Sequence, residues 1–334
     1  DPGPVCYEKG GQEPTVTDAN LCLGRINEKF FLGGEMVLDK EASKKAILEK
    51  IGNPLSKNLA EACQGILDVT NSNMIRAIRV SSMEKGLDPR EFALVAFGGA
   101  GPLHAGDLAE ELGISTIIVP EMAGLFSAIG LLVADIKNDY SVTKISKIRE
   151  TDRQNLAAGF EELKERAIAE FKKDNLLTER IHFIYSMDMR YSRQAYEINI
   201  PIWEDIDQLS LEKCEKEFHK AHEQLYWWSD PNRPVEIVNL RISAISEVPK
   251  IKPQKKESKG KDPRAALKGV RHTFFKEFRD FKETSLYDRA LLDSRNVVEG
   301  PAIIESFDTT IVVLPSHKAE VDEYGNIIIH ARRR

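Results

Sequence analysis

The chain has 334 residues, 42% of them hydrophobic and 30% charged, and a formal net charge of −6. This length predicts two or three domains, and the negative charge argues against nucleic acid as the main partner. No apolar run is long enough to cross a membrane, no secretory signal is evident, and the four cysteines form no CxxC pair, which predicts reduced thiols and a cytoplasmic location.

The first segment, residues 1 to 55, is rich in Gly, Pro and Thr, which predicts loops and short helices. Within it, Thr15, Thr17 and Asp18 offer two hydroxyls and a carboxylate close together. Such a group can cap a helix beginning near Ala19, or hold Mg²⁺ through water. Capping is the stronger interpretation, and a ligand role for Asp18 stays open beside it.

A long helix is predicted from Ser56 to Lys85, because apolar residues recur there at three- and four-residue spacing and Gly86 follows. The helix leads into six apolar residues, Phe92 to Phe97. A continuous apolar run of this length is typical of a strand that is covered on both faces.

A glycine loop follows this strand. Gly98, Gly99 and Gly101 remove side chains that would keep a ligand away from the backbone, and Pro102 stands where a helix would begin. The predicted helix carries an apolar face of Leu103, Leu108 and Leu112. Amide groups at such a helix start suit a phosphate or a ribose edge. Alternatively, the glycines only let the strand and the helix pack closely.

One histidine, His104, lies in the first turn of that helix, where a cation is disfavoured and the ring stays neutral. It could contact a bound nucleoside or make a structural hydrogen bond, and a general-base role is the weaker alternative. His219 and His222 could share a metal ion, but no further ligand is evident nearby. We interpret these two as solvated residues on an exposed helix face and predict no metal site.

Composition and periodicity predict four segments: residues 1–140, an α+β domain at 141–248, a basic linker at 249–271, and a small β unit of the C-terminal domain at 272–334. The predicted helices are Leu125–Ala134, Thr151–Lys173 and Leu209–Trp228. The predicted strands are Ile114–Val119, Ile181–Ile202, Pro234–Ile245, His272–Phe281, Ala302–Glu305, Thr309–Leu314 and Asn326–His330. Asp308, Thr309 and Thr310 could approach a ligand, although a turn before a strand is the simpler interpretation.

Several segments, in this order, carry a resemblance to a known family: Asp1–Tyr7 (DPGPVCY), Glu13–Asn20 (EPTVTDAN), Ala96–Ala105 (AFGGAGPLHA), Gly124–Asp135 (GLFSAIGLLVAD), Pro234–Arg241 (PVEIVNLR) and Gly300–Glu305 (GPAIIE). The chain resembles the hydantoinase A, 5-oxoprolinase and acetone carboxylase family along almost its whole length. The resemblance implies an α/β fold, with part of an actin-like ATPase of the sugar-kinase type followed by an α+β C-terminal domain.

The same resemblance implies a function. Members of this family use ATP to open a lactam or hydantoin ring, or to carboxylate a ketone, usually with a hydantoinase B-type partner subunit. The implied cofactors are ATP and Mg²⁺, and the substrate is a small molecule. The residues that would hold the nucleotide are Gly98, Gly99, Ala100, Gly101 and His104, with Asp18 as a magnesium or phosphate-side contact. The resemblance identifies no catalytic residue.

Two glycine-rich phosphate turns that the family pattern includes are not found in this sequence, which begins at the DPGP segment. The expectation is therefore a later part of a full subunit, with an incomplete active site, that works in a hetero-oligomer with an N-terminal ATPase half. The alternative is a non-catalytic assembly subunit of such a complex.

The sequence departs from the family pattern at two places. Arg193 stands where a glycine is expected, and Trp227 follows Tyr226 where relatives tend to have a glycine. We interpret Trp227 and its neighbour Trp228 as an interface candidate, because adjacent tryptophans more often form a packing surface than a base-stacking platform.

Overall fold

A computed structural model describes residues 2–83, 86–174, 181–250, 253–258 and 260–331. The α-helices are α1 (Val16–Cys22), α2 (Lys40–Ile47), α3 (Leu59–Ser82), α4 (Gly101–Leu112), α5 (Phe126–Val133), α6 (Arg153–Lys173) and α7 (Leu211–Tyr226). The strands are β1 (Leu94–Val95), β2 (Thr116–Val119), β3 (Ile136–Lys147), β4 (Ile181–Tyr191), β5 (Ile198–Ile202), β6 (Val235–Ser246), β7 (Leu267–Phe275), β8 (Asp280–Asp288), β9 (Val297–Glu299), β10 (Ala302–Glu305), β11 (Thr310–Val313), β12 (Lys318–Val321) and β13 (Ile327–His330).

These elements form two compact units. The first comprises Asp1–Leu131 together with Lys252–Arg334, and the second comprises Leu132–Ile251. Each unit has its own hydrophobic core, as the separate clusters of buried side chains show.

The first unit contains two sheets. One has the strand order β1-β2-β13-β12-β9, and the other has the order β11-β10-β8-β7. β1 pairs in parallel with β2, whose other neighbour, β13, runs antiparallel to it. Buried side chains from α4 and from both sheets share one core, for example Leu108, Ile117, Ile304, Val313 and Ile329. This core fixes the loop before α4 next to the loop between β10 and β11.

The second unit is a four-stranded antiparallel sheet in the order β3-β6-β4-β5, with α6 and α7 packed against it. Phe160 and Phe171 of α6 and Phe218 of α7 join the buried sheet residues Met187 and Ile237 in one core. The apolar residues of both helices therefore face the sheet, as their spacing predicts.

The packing divides the chain differently from the predicted segments. Residues 272–331 form strands that pair with or pack against the first 131 residues, because β13 adds to β2. β3 begins at Ile136, before the predicted boundary at 140, and β7 begins at Leu267, inside the predicted linker. Strand β12 was not predicted, and the segment Ile181–Ile202 is a hairpin of two strands rather than one.

The apolar run from Phe92 to Phe97 also differs from its prediction. Only Leu94 and Val95 form strand β1, and neither face of this segment is fully covered. Phe92 is 51% exposed, Val95 44% and Phe97 45%. The prediction of a strand buried on both faces is wrong for this structure, because Ala96 is the one buried residue of the run.

Candidate functional site

The glycine loop between β1 and α4 is held from two sides by the rest of the first unit. Gly98 adopts φ +83°, a left-handed conformation that a glycine adopts without strain. Its N–H donates to the carbonyl oxygen of Ala123 at 2.7 Å. The Thr309 hydroxyl lies 3.1 Å from the Gly98 carbonyl oxygen and 3.2 Å from that of Gly99. These contacts fix the path of the loop before any ligand binds.

Helix α4 begins directly after this loop, and its first turn carries no side-chain cap. Ala100 is the N-cap residue and makes no side-chain hydrogen bond, while Pro102 lies in the first turn. Proline there is compatible with the helix because its missing N–H would have no intrahelical partner. The predicted apolar face of Leu103, Leu108 and Leu112 is buried, which confirms the predicted helix.

A cavity of about 260 Å³ opens beside the glycine loop. Gly99, Ala100 and Leu103 form one of its walls. The remaining lining residues come from Tyr7 before α1, from α1 and the loop after it, and from the end of β10 to the start of β11: Thr17, Asn20, Ile26, Asn27, Phe30, Phe31, Leu32, Glu305, Ser306, Phe307, Asp308, Thr309 and Thr310. The cavity thus combines aromatic walls with several hydroxyl and amide groups, a composition typical of small-molecule sites.

Glu305 is the most buried charge in this wall, with 2% of its surface exposed. Its carboxylate lies 2.9 Å from the Lys268 ammonium and 3.0 Å from the Arg271 guanidinium, and it accepts a hydrogen bond from the Asn27 amide at 3.0 Å. The Lys268 ammonium also lies 3.4 Å from the centre of the Phe30 ring. This network fixes Asn27 and Phe30, which come from a distant part of the sequence, at the cavity.

Asn20 lines the cavity and carries a buried acceptor without a partner. Its side chain is buried, and its amide Nδ2 donates to the Val16 carbonyl oxygen at 3.1 Å. Because Nδ2 faces an acceptor, the assignment of the two amide atoms is determined, and Oδ1 has no hydrogen-bond partner among the described residues. A buried acceptor without a partner costs free energy.

Asp18, predicted as a cap or a ligand contact, is the cap. The carboxylate is fully buried and accepts hydrogen bonds from the Thr15 hydroxyl and backbone N–H, from the Ser43 hydroxyl, and from the backbone N–H groups of Val5 and Cys6. Burial alone would raise its pKa, but the hydrogen bonds from Ser43, Cys6 and Thr15 outweigh burial and lower the pKa below its usual value. Asp18 does not line the cavity.

His104 is also buried away from the cavity. Its Nδ1 lies 2.9 Å from the Asn71 side-chain oxygen, so the ring bridges α4 to α3. Burial, helped by the nearby positive charge of Arg25, lowers the pKa of His104 to about 4. The ring is therefore neutral at pH 7, as its place at a helix start predicts, and it makes the structural hydrogen bond that was one of the two alternatives.

The interpretation of His219 and His222 as solvated residues is wrong for His222. That ring is fully buried, with Nδ1 lying 2.8 Å from the Trp228 carbonyl oxygen and Nε2 lying 3.0 Å from the Gln194 amide. His219 lies 2.8 Å from the Tyr191 hydroxyl. Across the described ranges, no three His, Cys, Asp or Glu side chains converge as a metal site would require.

The two departures from the family pattern have a backbone explanation. Arg193 has φ +71° and Trp227 has φ +63°. Both values lie in the left-handed region, which costs a residue with a side chain about 1 kcal/mol and a glycine nothing. Trp227 ends α7 in this conformation with 92% of its surface exposed.

The sequence reasoning missed most of the cavity. Asn20 and Glu305 lie within the quoted segments EPTVTDAN and GPAIIE, but nothing in their spacing shows that they approach the glycine loop. Asp308, Thr309 and Thr310 do line the cavity, and they also form the turn before β11.

All four cysteines are free and buried. No helix in the described part of the chain combines the length and the apolar character that crossing a membrane requires.

The sequence of the chain matches known protein families and individual proteins. The model of the hydantoinase/oxoprolinase family matches residues 1–140, and the model of the hydantoinase/oxoprolinase C-terminal domain matches residues 144–333. The chain is 39% identical over 325 residues to an uncharacterized protein of Methanocaldococcus jannaschii, covering 97% of this chain and 46% of that protein. It is 35% identical over 326 residues to caprolactamase subunit alpha of Pseudomonas jessenii, covering 96% and 47%.

Solved structures agree with the sequence relatives. The crystal structure of ATP-dependent caprolactamase from Pseudomonas jessenii matches with a TM-score of 0.81 at 34% identity, covering 99% of this chain and 48% of that one. A nucleotide-free structure of acetone carboxylase, solved for the mechanism of ATP-dependent acetone carboxylation, matches with a TM-score of 0.82 at 27% identity, covering 98% and 48%. The α/β fold class is confirmed, and the chain spans about half the length of the curated relatives it matches.

Proposed function

Because the chain belongs to the hydantoinase/oxoprolinase family, we propose that it supplies part of a subunit that uses ATP to open a cyclic amide or to carboxylate a ketone. The observation that carries the proposal is the preformed cavity whose wall is the uncapped start of α4 and the glycine loop before it. A non-catalytic assembly subunit is the alternative.

The cavity suits the nucleoside part of ATP. The aromatic side chains of Phe30, Phe31 and Phe307 provide flat apolar surface for a base, and Asn20 and Asn27 provide amide groups for its polar edge. Gly99 leaves the backbone open to the ligand. The residues that would hold the nucleotide are therefore Gly98 to Gly101 through their backbone, with Asn20 and Asn27 from the opposite side.

The phosphates would lie outside this cavity. The charged side chains that line it, within the described residues, are Glu305 and Asp308, both acidic, and no lysine or arginine lines it. Triphosphate groups bind where cations or several backbone N–H groups converge. We propose that the phosphate contacts come from the N-terminal ATPase half of a family subunit, which makes the site in this chain incomplete alone.

The described residues do not fit a Mg²⁺ site. Asp18, the candidate ligand, has both carboxylate oxygens occupied by protein donors. Asp308 accepts hydrogen bonds from the Gly124 N–H at 2.8 Å and from the Ser306 hydroxyl at 2.7 Å, so it is occupied as well. Asp18 and His104 enter the proposal as positioning residues: Asp18 fixes α1, which carries Thr17 and Asn20, and His104 ties α4 to α3.

ATP, when bound, would supply a phosphoryl group that activates the carbonyl oxygen of a lactam or of an enolised ketone. The residues of this chain hold the nucleoside, orient it through the glycine loop, and exclude water with aromatic side chains. A hydantoinase B-type subunit as partner, a small amide or ketone as substrate, and a cytoplasmic location complete the proposal.

Calorimetric titration of the chain with adenosine and with ATP tests it. We expect both to bind with similar affinity, because the cavity contacts only the nucleoside. Gly99→Val should weaken binding at least tenfold, since it adds a side chain to the cavity wall; a β-carbon there meets the Asp308 carbonyl oxygen at 3.5 Å, so the loop itself tolerates it. Gly65→Val on α3 is the matched control, because Gly65 is exposed and has open space around it.

Two results would contradict the proposal. If adenosine does not bind and a lactam such as caprolactam binds instead, with the same loss in Gly99→Val, the cavity is a substrate site. If none of these compounds binds to the chain, alone or with the ATPase half of a relative, the assembly-subunit alternative holds.

A further inference from the structure

A lysine lies over one of the aromatic rings that line the cavity. The Lys268 ammonium is 3.4 Å from the centre of the Phe30 ring, so it occupies one face of that ring. Phe30 lines the cavity, whereas Lys268 does not. A ligand that stacks on Phe30 would therefore use the face opposite to the ammonium.

This cation distinguishes Phe30 from the other aromatic residues of the cavity. The Phe31 ring instead packs against the Tyr7 ring, with the two centres 5.6 Å apart. Among the cavity rings that the structure describes, Phe30 is the one with a lysine or arginine over its face. The three phenylalanines that could accept a base are thus not equivalent.

The buried carboxylate of Glu305 holds the ammonium in this position. The Lys268 ammonium lies 2.9 Å from the Glu305 carboxylate, and the Arg271 guanidinium lies 3.0 Å from the same group. One carboxylate is therefore shared by two cations, which leaves a net positive charge in this group of three. Because the group is largely shielded from water, that charge acts on the neighbouring ring with little screening.

The backbone of β7 directs Lys268 to this place. The register of β7 against β8 shifts between Leu267 and Gly269, so Lys268 is the extra residue of a β-bulge. Gly269 has φ +145°, a conformation that a residue with a side chain rarely adopts. Bulges change the direction of a side chain and are frequent beside functional sites. This local geometry is typical of a side chain that is placed for a function.

We propose that Lys268 is a positioning residue for the nucleoside: its ammonium holds the Phe30 ring and withdraws electron density from the face on which a base stacks. Both faces of an aromatic ring carry partial negative charge, and a cation is attracted to that charge. With the cation on one face, the opposite face favours an electron-rich base. The inference rests on the proposed function, because it specifies which bases the cavity prefers.

Calorimetric titrations with 7-deazaadenosine, adenosine and 8-azaadenosine test this inference, since the electron density of the base decreases in that order. Lys268→Met keeps the length of the side chain and removes its charge. We expect adenosine affinity to fall about three- to tenfold in this variant. The ratio of the 7-deazaadenosine and 8-azaadenosine affinities should fall at least threefold, whereas Lys268→Arg should keep both values. Other contacts to the base are the same in both proteins, so the change in the ratio reports the ammonium.

A double-mutant cycle shows whether Lys268 acts through Phe30 or through Glu305. Phe30→Leu removes the aromatic ring and should itself weaken adenosine binding. In this background Lys268→Met should cause no further loss, because the ammonium has no ring to act on. An undiminished loss in this background would overturn the inference, since Lys268 would then act through Glu305 and Asn27.

Lys282→Met is the matched control. The Lys282 ammonium also pairs with a carboxylate, that of Asp280 at 3.1 Å, and it lies 5.7 Å from the centre of the Phe278 ring, away from the cavity. All three nucleosides should bind this variant as they bind the wild type. The melting temperature of each variant shows that it is folded, and Lys268→Gln, which can still donate to Glu305, replaces Lys268→Met if the latter does not fold.

The inference is overturned if Lys268→Met leaves the affinity ratio unchanged. An equal loss for all three nucleosides has the same meaning, because a weakened cavity wall would produce it without any effect on the ring. In both cases the wild type binds adenosine and the proposed function stands. If the wild type binds none of the three nucleosides, the proposed function fails together with the inference, and this result is seen before any variant is measured.

Discussion

Helices α1 and α4 both begin at motifs that the sequence singles out, yet their first turns differ in what occupies them. At α1, Thr15 and Asp18 form a capping box, and the Asp18 carboxylate is saturated by protein donors. At α4, Ala100 caps the helix without a side-chain hydrogen bond, and the loop before it forms a cavity wall.

The difference shows that a polar residue at a helix start can indicate a cap, whereas a start without a capping side chain can indicate a ligand site. A capped helix start has its N–H groups satisfied by its own chain, so it has little left for a ligand. An uncapped start built from glycine and alanine leaves the backbone open. The candidate ligand site therefore lies at α4, and α1 contributes to it through Thr17 and Asn20.

The largest expected effect comes from breaking the cap of α1. Asp18→Ala removes the acceptor of several buried donors, among them the N–H groups of Val5 and Cys6 and the hydroxyl of Ser43. An unsatisfied buried donor costs about 1–3 kcal/mol, so we expect the free energy of unfolding to fall by at least about 3 kcal/mol in urea titrations.

The matched control is Asp39→Ala, which removes the N-cap of α2. Asp39 accepts from the Ala42 N–H at 2.9 Å and is only half-buried, so its loss should cost about 1 kcal/mol. Equal losses in the two variants would show that Asp18 is an ordinary cap. A loss of adenosine affinity in Asp18→Ala with unchanged stability would make Asp18 a ligand residue instead.

The next effect is a pH dependence of folding stability that originates at His104, in the first turn of α4. The pKa of His104 is about 4 in the folded chain against about 6.5 in an unfolded one, so the unfolded state binds the proton first as the pH falls. The stabilisation is fully present above pH 6.5 and is lost as the pH falls toward 4. Between pH 7 and pH 4.5 we expect His104 to account for about 2 kcal/mol of lost stability.

Urea unfolding of the wild type and of His104→Gln at both pH values measures this contribution. Glutamine can keep a hydrogen bond to Asn71 but does not titrate, so the variant should lose about 2 kcal/mol less than the wild type on acidification. If both chains lose the same amount, His104 is accessible to protons in the folded state and lies closer to solvent than the structure places it.

A smaller effect tests the open helix start itself. Thr309→Val removes the hydroxyl that lies within hydrogen-bond distance of the carbonyl oxygens of Gly98 and Gly99, so the loop loses one of its two supports. We expect adenosine affinity in calorimetry to fall about three- to tenfold, which corresponds to about 1 kcal/mol.

Thr70→Val is the control, because its hydroxyl also donates to a backbone carbonyl, that of Ile66, but on α3 away from the cavity. Affinity should be unchanged in this variant. If Thr309→Val binds adenosine as well as the wild type does, the glycine loop keeps its path without the hydroxyl, or it does not contact the ligand.

Much of the fold could be predicted from local sequence, because periodicity reports which side of a helix is buried. The long helix predicted from Ser56 to Lys85 is α3, and the helix after the glycine loop is α4. The same reasoning failed at Phe92–Phe97, since an apolar run indicates that a strand is suited to burial but does not identify the residues that would cover it.

The cavity could be predicted only in part. The glycine loop was identified because its residues are contiguous, whereas the hydrogen bond between Asn27 and Glu305 joins residues 278 positions apart. Asp18 and His104 were predicted as ligand residues because they are polar residues inside motifs. In the structure both make hydrogen bonds to other residues of the protein. Separating a polar residue that faces a cavity from one that faces its own helix needs tertiary contacts.

The smallest expected effect concerns a third helix terminus, the C-terminal end of α7. Trp227 ends α7 at φ +63° with its indole 92% exposed, so the side chain adds strain and little burial. Trp227→Gly should relieve about 1 kcal/mol of backbone strain, partly offset by the greater freedom of glycine in the unfolded chain. We expect a net gain of about 0.5 kcal/mol in urea unfolding.

Trp203→Gly is the matched control, because Trp203 is 85% exposed but does not have a positive φ, so this substitution should destabilise the chain. If Trp227→Gly destabilises as much as the control, the indole contributes packing within the second unit. If it stabilises the chain as expected, this strained tryptophan has no role in the stability of the second unit, and a partner that contacts the indole becomes the remaining physical reason for it. The interpretation of Trp227 as an interface residue would then be supported by a measured loss of folding stability.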